Sequence, residues 1–408
     1  MKRIIIFILF STVLFTYSCN TEEKKDTITV SGETTVDTSP GSCPYLTKDN
    51  KDNIVLSWIK KAGTASSIFC YAVSKDGGKT FGRPIEIPGS TNVFPHGENM
   101  PKVIFKPSGE IIAAWGAANP NPQNKYSGLV YYSQSFDEGN TWTRPKSLTS
   151  DTASFDQRYF DMALLSNGET AVTWLDNRKR WNTEGSGLYY AVTKGKNGFQ
   201  EEKLISGPCC QCCRTDLFID KNKNIHVLYR AIINDSIRDM VHIVSTDDGK
   251  TFTNPQRISP DNWVINGCPH TGPAMAENKN GLQFTWFTGG NASGIYYSNS
   301  TDSGKTFKER DAVSGKAAKH CQITTLENGA ILIVWNESFP TGGKVSSRIG
   351  IEQRDINGKS ITKKYITPET GNSSFPVICA INANKAVIAY TENIGEQDFV
   401  LWRQILFE

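Results

Sequence analysis

Cys209-Cys210-Gln211-Cys212-Cys213 places four thiols in five consecutive residues, and Arg214 follows at once. Such density points to a soft metal, to redox chemistry, or to bridges with distant cysteines. Neighbouring cysteines pair with each other only under strain, because a disulfide fixes both a Cα separation and a dihedral. An arginine beside the thiols would favour thiolates. Other candidate donors are Cys268 and His270 in Gly267-Cys268-Pro269-His270, the pair His320-Cys321, and His96 in Pro95-His96-Gly97-Glu98. Thiolate with imidazole suits copper or zinc, whereas calcium would want carboxylates and carbonyls. No paired CxxC spacing occurs, so no zinc-finger type of site is implied. The expected ligand set is Cys209, Cys210, Cys212, Cys213, Cys268, His270, His320 and Cys321, with His96 as a lesser member. It is wider than one ion needs. One or two structural disulfides, for example from the cluster to Cys268 or Cys43, and a redox-active thiol pair are the competing readings.

The elements that position these residues begin with the leader. Met1-Lys2-Arg3 precedes an apolar run from Ile4 to about Tyr17, too short for a comfortable membrane span and typical of a secretory signal. Leu14-Phe15-Thr16-Tyr17-Ser18-Cys19 resembles a bacterial lipobox. That resemblance implies a signal peptide over 1–18, lipidation of Cys19, and a membrane-anchored lipoprotein on the periplasmic or cell-surface side, with the outer membrane favoured. Residues 19–40 are polar and read as a flexible tether. A formal net charge of +3 gives no argument for nucleic acid as a partner. Nine cysteines remain after Cys19, an odd number, so they do not all pair within the chain.

Repeats set the architecture. Ser74-x-Asp76-x-Gly78-x-Thr80-Phe81 recurs as Ser135-x-Asp137-x-Gly139-x-Thr141-Trp142, Ser245-x-Asp247-x-Gly249-x-Thr251-Phe252 and Ser300-x-Asp302-x-Gly304-x-Thr306-Phe307. The Asp accepts turn amides, the Gly supplies a positive φ, and the aromatic packs back on the sheet. A second series, Trp58, Trp115, Trp174, Tyr229, Trp286, Trp335 and Tyr390, recurs in steps of 49–59 residues, each closing an apolar run after a small polar turn. The unit is strand A, tight turn, strand B, loop, strand C, box turn, strand D. The box resembles the Asp-box of sialidase-like (BNR repeat) β-propellers. The expected fold is all-β, a seven-bladed β-propeller over 41–408, with six blades as the alternative. Blades three and six carry degenerate boxes, near Lys194-Gly195 and Asp355-Ile356-Asn357-Gly358. Blade seven runs out after strand C, and Thr27-Ile28-Thr29-Val30 is placed to close the ring. Cys70 reads as core, and His226 and His242 as packed or exposed strand residues.

Strand alternation puts the Asp-boxes and the A–B turns on one face. The D-to-A connections and the B–C loops share the other face. Loops over 116–127, 176–187, 288–293 and 336–347 make that second face the expected seat of function. Seven of the nine remaining cysteines and three of the five histidines fall at its D-to-A connections, which gathers distant residues around one axis. The leading expectation is a lipoprotein binding copper or zinc at the channel mouth, handing metal to a membrane transporter or an exported metalloprotein. The family resemblance implies the alternative: an exo-sialidase or another glycan-cleaving or glycan-binding propeller. There Arg158, Arg178 and Arg214, with Asp161, would meet the sugar, since a guanidinium fork binds a carboxylate bidentately. Arg230 and Arg348, with the acids Glu98, Asp156, Asp176 and Glu337, are further candidates. The opening Phe/Tyr-Arg-Ile-Pro motif of sialidases is missing; Phe81-Gly82-Arg83-Pro84 belongs to a box and faces away.

Overall fold

The computed structural model describes residues 28–408 except 64, 65, 123, 180, 182 and 183. The segment read as an export signal, and Cys19, lie outside the described residues. Seven antiparallel sheets follow one another in chain order, each starting from its inner strand and meandering outward, so the seven-bladed propeller is observed and the six-bladed alternative is not. Blade one consists of Gly41–Lys48, Ile54–Ala62, Ser66–Ser74 and Ile85–Glu86. Blade seven has Ser373–Ala380, Lys385–Ile394 and Gln397–Phe407. Its outer strand is Ile28–Val30, paired with Ile28 opposite Phe407 and Val30 opposite Ile405. Thr34–Thr35 pairs with the same strand. The chain thus closes its ring with its earliest described strand, and residues 28–30 and 34–35 of the segment read as tether join the sheet.

Strand B of each blade is sandwiched between neighbouring blades, which is why its sequence is nearly continuous in apolar residues rather than alternating. Ile54 to Ile59 is buried throughout. Each B strand carries its aromatic inward: Trp58, Trp115, Trp174, Tyr229, Trp286, Trp335 and Tyr390 are all essentially inaccessible. Truncating one such residue to alanine costs about 3–5 kcal/mol.

The four Asp-boxes are built alike. Asp76 accepts the Lys79 and Thr80 backbone amides at 2.9 Å each and the Thr80 hydroxyl at 2.6 Å. The Ser74 hydroxyl donates to Asp76 at 2.8 Å and accepts the Gly78 amide at 2.7 Å. The box glycines do a second job. A Cβ on Gly139 would meet the Tyr71 hydroxyl of the preceding blade, and Gly249 and Gly304 face Tyr190 and His242 in the same way. Gly78 faces Val387 of blade seven. The degenerate boxes keep this contact: Gly198 faces the Tyr132 hydroxyl and Gly358 the Tyr297 hydroxyl. His242 therefore stands where other blades use tyrosine. It lies flat against His226 with ring centroids 5.1 Å apart, and burial lowers its pKa to about 3, so it is neutral.

One expected loop is different. Residues 336–347 continue the sheet as a long hairpin, Ile331–Thr341 against Lys344–Arg354, turned at Gly342-Gly343 with φ of 56° and 82°. Alternation persists to the turn, so the pairing extends past the blade edge.

Candidate functional site

The inner strands begin irregularly. Cys43, Tyr159, His320 and Phe375 stand at the same distance ahead of their blade's aromatic and all have positive φ, 50–59°. In each case a bulge interrupts the A–B register there, between Ser42 and Tyr45, Arg158 and Asp161, Lys319 and Gln322, and Ser374 and Val377. A non-glycine residue in this region costs of order 1–3 kcal/mol, and bulges re-aim side chains.

Tyr159 and its neighbours open onto a pocket of about 730 Å³ over blades two to five. His96, Arg158, Tyr159, Cys212, Cys268 and His270 line it, together with Asn124, Lys125 and Tyr126 of the blade-two B–C loop. The Tyr159 hydroxyl lies 3.4 Å from His270 Nδ1. The His96 ring stands edge-on to Tyr159 at 5.4 Å and 5.6 Å from the His270 ring. The Glu98 amide donates to His96 Nδ1 at 3.2 Å, which leaves the neutral ring's proton on Nε2. Burial lowers the His96 pKa against the opposing pull of Glu98. Burial also drives the Tyr159 phenol far above its ordinary value, and Arg158 only partly offsets this. Arg158 gives Nη2 to Asp156 at 2.7 Å and lies 5.6 Å over the Tyr159 ring. The lining contains cations and imidazoles and no carboxylate.

The thiols separate into distinct places. Phe199–Cys209 ends the outer strand of blade three, and the turn after it is pinned where the Cys210 amide donates to the Arg230 carbonyl at 2.8 Å. Cys210, Cys212 and Cys213 put their sulfurs within 4.8 Å of one another, with Cys210 and Cys212 3.5 Å apart. Cys209 turns into the core between blades three and four, where burial raises its pKa well above the usual value. Cys321 is packed with Trp263, Trp335 and Ile323, and burial pushes its thiol to about 11. Cys268 is exposed at the pocket edge. The His320 ring lies tilted over Phe375 with centroids 4.1 Å apart, and its Nδ1–H donates to the Asn336 side-chain oxygen at 2.7 Å. All nine described cysteines are free, so the bridges from the cluster to Cys43 or Cys268 are not formed.

Within the cluster, Cys210 and Cys212 share a thiol hydrogen bond at 3.5 Å. The neighbouring Cys212 and Cys213 lower the Cys210 pKa, and burial opposes them. The guanidinium charges of Arg230 and Arg238 act on Cys210 and add to the lowering, and Arg238 is itself held by Glu184 at 2.8 Å. Arg214, expected to play that part, points the other way. It pairs with buried Glu98 at 2.5 Å and donates to the Cys321 carbonyl at 2.5 Å, while the Gly272 amide donates to Glu98 at 2.6 Å. Cys213 and Arg214 lie at the bend ahead of the Asp216–Ile219 strand, where the chain turns the two side chains to different neighbours, so sequence adjacency did not mean contact.

The expected arginine clamp is likewise dispersed. Asp161 is buried against Lys102 at 3.2 Å and accepts the Leu217 amide at 2.8 Å, tying the inner strands together. Arg178 is held by Asp176 at 2.8 Å and Glu202 at 2.9 Å, stacked over Tyr189. Arg230 spans three backbone carbonyls, and Arg348 lies over Tyr365 and binds Glu337. Of the four residues assigned to a sugar, Arg158 alone lines the pocket. Tyr159 and Arg238 were missed as functional candidates. Tyr159 had a readable signal, its position equivalent to Cys43 and His320 ahead of the aromatic series; Arg238 had none.

No family model matches the chain, and no curated protein matches it. Solved structures do. A Dyadobacter fermentans protein of unknown function is 14% identical with a TM-score of 0.55, covering 94% of this chain and all of its own. The polysaccharide lyase Uly1 is 12% identical with a TM-score of 0.53, covering 90% of each chain. The intramolecular trans-sialidase of Ruminococcus gnavus is 9% identical with a TM-score of 0.51, covering 79% of this chain and 96% of its own. At these identities the likeness is one of fold: the chain has the β-propeller architecture that sialidases and a polysaccharide lyase also have.

Proposed function

We propose that this chain is a glycan-acting propeller that cleaves an acidic polysaccharide by elimination at the Tyr159–His270 pocket. The observation that carries this reading is the lining: an arginine, a lysine, two histidines and two tyrosines, with no carboxylate. Two-carboxylate glycoside hydrolysis needs a pair of Asp or Glu side chains flanking the bond. Elimination from a uronate needs three other things: a cation on the carboxylate, a base for the proton beside it, and an acid for the leaving oxygen.

Arg158 holds the sugar carboxylate with the N–H groups that Asp156 does not use, which stabilises charge developing on the neighbouring carbon. His270 donates Nδ1–H to the Tyr159 oxygen and presents bare Nε2, which takes the carbon proton. The electron pair forms the carbon–carbon double bond and the glycosidic C–O bond breaks. Tyr159 gives its proton to the leaving oxygen and regains one from His270 Nδ1 across their 3.4 Å contact. The imidazole is then neutral with the carbon proton on Nε2, and it returns to its starting tautomer by releasing that proton to solvent and taking one back on Nδ1. His96 Nε2–H is a fixed donor to a sugar oxygen. Exposed Phe94 and Tyr126 at the rim offer apolar faces for sugar rings. Lipidation of Cys19 and an outer-membrane setting, read from the leader, belong to this proposal, since they would place the pocket where extracellular polysaccharide arrives.

The test is ultraviolet absorbance of the unsaturated product when the protein meets a panel of uronate-containing polysaccharides. The reading predicts a rise with at least one of them. New reducing ends without that absorbance would make the chain a hydrolase, and release from a fluorogenic sialoside would restore the sialidase alternative. Either result overturns elimination.

A further inference from the structure

The pocket chemistry leaves the three-thiol turn between blades three and four unused. We propose that Cys210, Cys212 and Cys213 bind one copper(I) ion as a three-thiolate centre that opens to the pocket through Cys212. This goes beyond the sugar reading and stands or falls without it.

Geometry comes first. Thiolates about 2.3 Å from a shared ion lie roughly 3.8–4.0 Å apart. The three sulfurs already lie within 4.8 Å of one another, with Cys210 and Cys212 3.5 Å apart, so closing around an ion needs shifts of no more than about 1 Å. The turn that carries them is fixed by the Cys210–Arg230 and Ile232–Pro208 backbone bonds, so the site is largely preformed.

Coordination number comes next. Among the described residues no other Cys, His, Asp or Glu joins the group. Structural zinc takes four protein ligands, whereas thiolate-only sites select the softer copper(I). Charge agrees with this choice. Three thiolates around a monovalent ion leave two negative charges, and two guanidinium groups, Arg238 and Arg230, act on Cys210. Loading displaces the thiol protons to solvent as the metal–sulfur bonds form. Cys212 and Gln211 line the pocket wall, and exposed Cys268 lines it too, so an arriving ion has a path with a first thiol on it.

The experiment uses the full exported chain, reduced and anaerobic, titrated with copper(I) against a competing colorimetric chelator. Expected are one equivalent retained, three sulfur neighbours in the X-ray absorption spectrum, and loss of that equivalent in Cys212→Ser but not in Cys70→Ser. Arg238→Gln, which leaves all three ligands in place, should weaken retention about 10–100-fold. No retained copper, equal retention by Cys212→Ser, preference for zinc(II) over copper(I), or a disulfide joining Cys210 to Cys212 or Cys213 in freshly exported protein would each overturn the proposal.

Discussion

The two faces of this propeller are made of the same strands and differ in almost everything else. On the Asp-box face the turns repeat. Asp137, Asp247 and Asp302 each hold the same threonine amide and hydroxyl that Asp76 does in its box. Six outer turns press a glycine against the blade before. On the opposite face nothing repeats except the irregularity itself. Four inner strands start with a bulge and a left-handed residue, and that residue is Cys, Tyr, His or Phe according to blade. One face spends its residues on joining blades, and the other places reactive groups where joining is already secured. Evolution can vary the second without unfolding the ring, because the aromatic series and the boxes hold the blades from below.

If that contrast is right, substitutions on the two faces should separate cleanly into losses of activity and losses of stability. The largest effect is expected from Tyr159→Phe, which removes one hydroxyl. Activity on the cleaved polysaccharide should fall about 10²–10⁴-fold, the usual worth of a positioned acid or base, with an unchanged thermal midpoint. Steady-state kinetics and calorimetry on the same sample check both halves.

Glu98→Gln lies between the faces and should affect stability most. It leaves the Arg214 guanidinium buried without its counter-charge, at a cost of about 3–5 kcal/mol, readable from denaturant midpoints. Gly249→Ala on the box face should cost about 1–3 kcal/mol, because its φ is +78° and the new Cβ meets the Tyr190 hydroxyl at 2.5 Å. Its activity at a temperature below the melt should match the parent chain.

The smallest effect is the acid response of the boxes. Bonds from Thr80 hold Asp76 down at about 2, and Thr306 does the same for Asp302. A carboxylate whose folded pKa is depressed contributes stability that is present above its unfolded value near 4. That stability is lost as pH falls towards 2. These groups are exposed, so each contribution is small. Melting temperature measured from pH 5 to pH 2 should decline more steeply in the parent chain than in Asp76→Asn. Parallel curves would remove the boxes from the account of stability.

Most of the fold was legible because it rests on local chemistry. Ser-x-Asp-x-Gly-x-Thr encodes its own hydrogen bonds, and the spacing of Trp58 through Tyr390 counts the blades. Even the closing strand was legible in Thr27-Ile28-Thr29-Val30, because blade seven runs out after its third strand and needs a fourth. The site was legible in place and not in contacts. Repeat position set His96, Cys212, Cys268 and His270 at one mouth, and the four share one pocket lining. It did not reveal that Cys209 and Cys321 turn inward, that Arg214 pairs with Glu98 of blade two, or that Arg238 is held by Glu184. Those outcomes depend on side-chain direction at bulged strand starts, where period-two alternation fails. Arg178 shows the same limit: its partners Asp151 and Glu202 lie far from it in sequence, and no pattern announces them.

The central claim is that the irregular face carries the chemistry at Tyr159 and His270. It is tested most directly by the ultraviolet assay run side by side on the parent chain, Tyr159→Phe and Gly249→Ala. The account predicts unsaturated product from the parent chain and from folded Gly249→Ala, and a loss of about 10² or more in Tyr159→Phe. Equal turnover by the parent chain and Tyr159→Phe would contradict it.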